Sequence, residues 1–218
     1  MIHKTPPHPD DALASDVHVD SDHPLLMRHL QAAVSGEHAW TRLERWYVRV
    51  RDGIQYNPWR ITFNPESIRA SGVLEDQEGH CVAKSLLFVA GCRALGIPAV
   101  MGYARVRNHL ATEKLEAKLG TNVLSPHGYA AFWNGERWVK STPVFNAELC
   151  TKCGVEPLPF SKHEDVMFQA STSDGSTFMT YEEDYGLYTE LPVAQLETWF
   201  RQAYPHIDPD VDFKDSVA

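Results

Sequence analysis

Two helical rhythms of apolar residues follow the first 20 or so positions of this chain. Behind Asp22, a residue suited to cap a helix, HPLLMRHLQAAV carries a proline early in its first turn and predicts a short amphipathic helix ending near Gly36. In EHAWTRLERWYVRVRD, Trp40, Leu43, Tyr47 and Val50 return at helical spacing, and Gly53 supplies the stop. NPWRITFNPES has the prolines and asparagines of a loop, and SGVLEDQEGH reads as a further polar loop able to line a cleft. From Cys81 to Leu95 the pattern changes. Only Lys84, Ser85 and Arg93 interrupt an all-round apolar run, which predicts a helix buried on every side and ended by Gly96 and Pro98.

The next run, IPAVMGYARV, reads as a strand, and Asn108 to Leu124 as a helix or long loop. HGYAAFW and ERWVKST flank Asn134-Gly135, a strong hairpin signal. A two-residue turn there would set Trp133 opposite Glu136, Ala131 opposite Trp138, Tyr129 opposite Lys140 and His127 opposite Thr142. Past Pro143 the chain is loop-rich up to a helix from Val193 to Tyr204, and it closes in a polar acidic tail. The first 20 or so residues lack apolar periodicity and read as a mobile or surface-draped arm.

Composition narrows the classes. At 218 residues the chain suits one domain, and 43% hydrophobic with 22% charged residues fits a globular protein. A net charge of -9 leaves no basic stripe for nucleic acid or an anionic membrane surface. No apolar run reaches membrane-span length, and MIHKTPPHPDDALASD lacks the apolar core of a signal peptide, so a cytoplasmic location is expected. Cysteines at 81, 92, 150 and 153 do not resemble a disulfide framework. His3, His8, His18, His23 and His29 follow no ligand spacing, and the single CxxC of ELCTKCG has only His163 nearby, so neither metal nor cofactor is expected.

The chemistry centres on Cys81. It follows Gly79-His80 and begins the buried helix, where unpaired N–H groups favour a thiolate. Cys92, further along the same helix, reads as a small buried apolar residue. A nucleophilic thiol needs a base, and His127, opening a strand after Ser125-Pro126, is the candidate. Gln77 could add a donor for an oxyanion.

Taken together, GHCVAKSLLFVAGCRALGIPAVMGYARV followed by SPHGYAAFWNGERWVKSTP resembles the core motif of the transglutaminase-like superfamily, related in fold to papain-type cysteine proteases. Gly79 and Cys81 match its Gly-x-Cys, Ala94 to Ala99 its GIPAR-like stretch, His127 its histidine, and Trp138 with Pro143 the returning strand. The likeness covers roughly residues 37 to 145, and the TP-x-FN ending is similar to that of a bacterial subgroup of unassigned function. It implies an α+β fold, with the Cys-bearing helix packed on an antiparallel sheet. Residues 1–36 would form an arm and short helix, 37–160 the core, and 161–218 an extension packed on it. It also implies acyl transfer or amide hydrolysis through a thioacyl on Cys81, with a peptide or small molecule as substrate.

The family's acidic third member falls on Thr142, which can accept a hydrogen bond but carries no charge. Asn146 is the alternative orienter, by analogy with the Cys-His-Asn set of papain-like enzymes. The missing acid also motivates the competing expectation of an inactive module that binds a peptide in the old cleft.

Overall fold

The computed structural model describes residues 5–33, 38–109, 113–168 and 175–213. In chain order these hold helix α1 (Pro24–Ala33), helix α2 (Ala39–Gly53), strand β1 (Gln55–Tyr56), helix α3 (Ala70–Asp76), strand β2 (Glu78–Gly79) and helix α4 (Cys81–Ala94). There follow β3 (Ala99–Asn108), α5 (Glu113–Leu119), β4 (Val123–Trp133), β5 (Trp138–Ser141) and α6 (Ala147–Lys152). Last come β6 (Met179–Tyr188), α7 (Val193–Ala203) and the short α8 (Pro209–Asp212).

The all-round apolar run becomes α4 because every side of it is covered. One side meets the sheet face of Ala99, Met101, Tyr103, Ala130 and Phe132, and the other meets α2 and α3. The sheet is antiparallel in the order β5-β4-β3-β6. Its opposite face carries Val100, Ala104, Tyr129 and Ala131 against Cys150, Val155 and Phe178. No helix of the described residues is long and apolar enough to cross a membrane.

The three polar residues of α4 are tolerated inside because each meets backbone carbonyls. Lys84 Nζ donates to Arg51 O at 2.8 Å and to Ile54 O at 2.6 Å, closing the end of α2. Burial pulls its pKa down to about 7, with Asp52 opposing. Ser85 Oγ donates to Gly128 O at 3.3 Å. Arg93 gathers three distant segments, donating to Ala14 O at 2.7 Å, Ala99 O at 3.0 Å and Thr189 O at 2.6 Å.

Several expectations change. The N-terminal arm is draped and tied: Trp138 Nε1 donates to Pro7 O at 3.2 Å, Ala70 N donates to His18 O at 2.9 Å, and Ala12 and Val19 are buried. SGVLEDQ is largely the helix α3, because Ala70, Val73 and Leu74 pack inward. The loop-rich stretch hides α6 and β6, the latter an edge strand whose acidic positions mask its pattern. His3 and the expected helix stop at Gly36 lie outside the described residues.

The hairpin keeps its place and changes its register. Trp133 pairs with Trp138 and Ala130 with Ser141, across a longer turn. Asn134 Oδ1 accepts the N–H groups of Glu136 and Arg137, both at 2.9 Å, and of the two central residues only Gly135 takes a positive φ, of 106°. A type I′ turn needs both to be positive, so the asparagine side chain builds a wider turn instead. One step beyond the observed register, Thr142 lies beside Tyr129 rather than His127.

Close packing inside the helical layer supplies a stability test. A Cβ on Gly91 would stand 1.9 Å from Trp46 Nε1, inside a buried contact of α4 with α2. Gly91→Ala is expected to lower unfolding free energy by about 1–3 kcal/mol in urea titration, as overpacking does. A change below about 0.5 kcal/mol would show the helices free to part.

Candidate active site

His80 enters α4 in extended conformation (φ -83°, ψ -175°) and makes no side-chain cap, so the first-turn N–H groups face the thiol region uncapped. Cys81, a residue 7% exposed, lies there, and its Sγ accepts the Gly128 N–H at 3.5 Å. That contact requires glycine, because a Cβ at position 128 would come within 2.7 Å of the Val82 Cα. His127 precedes Gly128 on β4, so the strand that touches the thiol also carries the imidazole. His127 is buried, 1% exposed.

The second wall comes from the parallel pair β1 and β2, in which Tyr56 sits beside Gly79. Asn57 N donates to Gly79 O at 3.1 Å and continues the pairing. Cys81, His80 and Tyr56 border a cleft that opens to solvent. Its other walls are largely apolar, with Phe63, Leu119, Leu196 and Phe200 among them. Tyr204 fixes the far side by accepting Ser125 N–H at 2.9 Å and donating to Val123 O at 2.8 Å.

Burial governs the charges. It pushes the Cys81 thiol up from its ordinary value, while the Gly128, Val82 and Cys81 N–H groups pull the other way and lose. The thiolate expected at this helix start is therefore reversed to a thiol, because desolvation outweighs the local donors. Burial, followed by the nearby His80, lowers His127 to about 4, and burial lowers His80 to about 4. A neutral thiol and a neutral imidazole face neutral solution.

The proposed third members are placed as follows. Thr142 Oγ1 and His127 Nδ1 are both buried, and neither has a hydrogen-bond partner, so they are not bonded to each other. Asn146 is fully committed elsewhere: Oδ1 accepts Tyr56 N–H at 2.7 Å, and Nδ2 donates to Ile54 O at 2.7 Å and to Arg51 O. It is a tie between α2, β1 and α6. Gln77 closes α3 in a left-handed conformation (φ 56°), its amide folded back to Leu74 O and away from the cleft lining.

Cys92 is fully buried in the core, and among the described residues no three His, Cys, Asp or Glu side chains converge. His80, Tyr56 and the wall from α7 were not foreseen. The position of His80 next to Cys81 was the available signal for it, whereas Tyr56 arrives only through the two-residue sheet.

A profile of the Transglutaminase-like superfamily core matches residues 28–143. No curated protein matches the chain significantly. Among solved structures, a candidate cysteine protease from Cytophaga hutchinsonii aligns with a TM-score of 0.48 at 16% identity, covering 64% of this chain and 43% of that one.

The depressed imidazoles set a pH dependence. His127 becomes a free base above about pH 4, so Cys81 acylation by an activated ester should rise through a half-maximum near pH 4 and stay level across pH 6.5. The unfolded chain protonates both imidazoles first as pH falls, so stability should decline from about pH 6.5 toward pH 4. A kinetic half-maximum near pH 6.5 would mean that His127 is hydrated.

Proposed function

The chain belongs to the transglutaminase-like superfamily, and from that premise we propose that it is a cysteine-dependent acyl transferase or amide hydrolase working through a thioacyl intermediate on Cys81. One observation carries the reading: the Cys81 sulfur, hydrogen-bonded to the residue after His127, opens into an apolar cleft. His127 takes the thiol proton as sulfur attacks the acyl carbon, then delivers it to the departing amine. Water or an amine, deprotonated by the same imidazole, releases the acyl group and restores the thiol. The apolar walls suit a peptide or small molecule whose acyl group is aromatic or aliphatic. The four cysteines form no disulfide, which fits a reducing, cytoplasmic setting.

Thr142 is assigned a positioning role. Imidazolium formation turns His127 Nδ1 into an obligatory donor, and the unpartnered hydroxyl of Thr142, one residue past β5, is the acceptor proposed for it. The same two unpartnered atoms favour the rival reading, an inactive peptide-binding module.

Intact-mass spectrometry with an activated ester of 3-phenylpropanoic acid separates the two. The wild type is expected to gain one acyl group, lost in Cys81→Ala, with the rate falling by about 10³-fold or more in His127→Ala at unchanged fold. No adduct from this or other amide and thioester donors would leave the binding module standing.

For Thr142→Val, acylation is expected to slow roughly tenfold, while thermal stability holds or rises because a buried hydroxyl without a partner is removed. Unchanged acylation would make Thr142 purely structural.

A further inference from the structure

Attack on a carbonyl puts negative charge on its oxygen, and donors aimed at that oxygen usually contribute the largest part of catalysis. The start of α4 offers the Cys81 backbone N–H, and Gln77 offers nothing. Four tyrosine phenols lie near enough to Cys81 for a charge formed there to act on them: Tyr56, Tyr103, Tyr181 and Tyr204. Tyr204 is engaged by the Val123 carbonyl and the Ser125 N–H. Tyr181 donates to Met167 Sδ at 4.0 Å and does not border the cleft. The Tyr103 hydroxyl has no partner, but its ring packs against Tyr188 and Trp199, away from the cleft lining.

Tyr56 differs from all three. It borders the cleft beside Cys81, and no described residue engages its hydroxyl. Its backbone is held by pairing with Gly79 and by Asn146 Oδ1, and its ring stands edge-on to Phe145 at 4.9 Å. The side chain is therefore fixed in place with its polar end uncommitted. Burial above all keeps the phenol well above its usual pKa, so it remains a proton donor at neutral pH.

We propose that Tyr56 is a catalytic residue of this site, its hydroxyl joining the Cys81 N–H to hold the oxyanion of the tetrahedral intermediate. As the sulfur–carbon bond forms, the carbonyl π pair moves onto oxygen and is met by the two donors, while the thiol proton passes to His127. Collapse returns that pair to the carbonyl, breaks the bond to the leaving group and sends the His127 proton to it. The assignment rests on the thioacyl reading above.

Tyr56→Phe keeps the ring against Phe145 and removes only the oxygen. Two reactions of Cys81 then serve as probes, acylation by the phenylpropanoyl ester, which develops an oxyanion, and alkylation by iodoacetamide, which does not. Acylation is expected to fall on the order of 10²-fold in kcat with little change in KM. Alkylation and the thermal midpoint are expected to stay at wild-type values. Acylation within about threefold of wild type would overturn the assignment, as would acylation and alkylation falling together, which marks a packing role. A wild type that neither ester nor thioester acylates would remove the thioacyl reading, and this assignment with it.

Discussion

The approach of the first turn of α4 to Gly128 on β4 is the constraint on which the rest of this structure depends. No side chain larger than hydrogen fits there, and the missing Cβ lets the strand reach the sulfur itself. Around that contact the molecule is arranged to hold one buried helix against one sheet. Lys84, Ser85 and Arg93 serve it as carbonyl binders, and Arg93 draws the N-terminal strap and the end of β6 onto the same helix.

Burial at this contact also determines the resting chemistry. Desolvation favours whichever protonation state is uncharged, so it raises the thiol and lowers the imidazoles. A thiolate would be the stronger nucleophile at rest, yet the neutral pair leaves His127 free to accept a proton at neutral pH. In the proposed reaction charge then appears only as the sulfur attacks, inside a cleft where fixed donors act with little screening by water.

Much of this was legible in the residues. An all-round apolar run must be covered on all sides, so Cys81–Ala94 and its central place could be read directly, and the order of the motifs placed Cys81 and His127 on the right elements. The hairpin register was not legible for a definite reason. Moving the pairing from Trp133–Glu136 to Trp133–Trp138 is a slip of two residues, which leaves every side chain on its original face. Hydrophobic alternation cannot distinguish the two, and the choice fell to Asn134, whose side chain binds two backbone N–H groups. Asn146 likewise looked like a candidate orienter, until its amide proved to be spent on three backbone groups contributed by residues 51 to 56.

The cleft wall supplied by α7 gives the molecule an order of assembly. Cys81, the sheet strands β3 to β5 and His127 all precede residue 142, whereas Leu196, Phe200 and Tyr204 follow from 193 onward. During synthesis Cys81 and His127 leave the ribosome before the residues of α7 that wall the cleft. A nascent chain in that interval has the Cys81 thiol without its chamber, which is complete only when the later helix docks and Tyr204 clasps the backbone around Ser125.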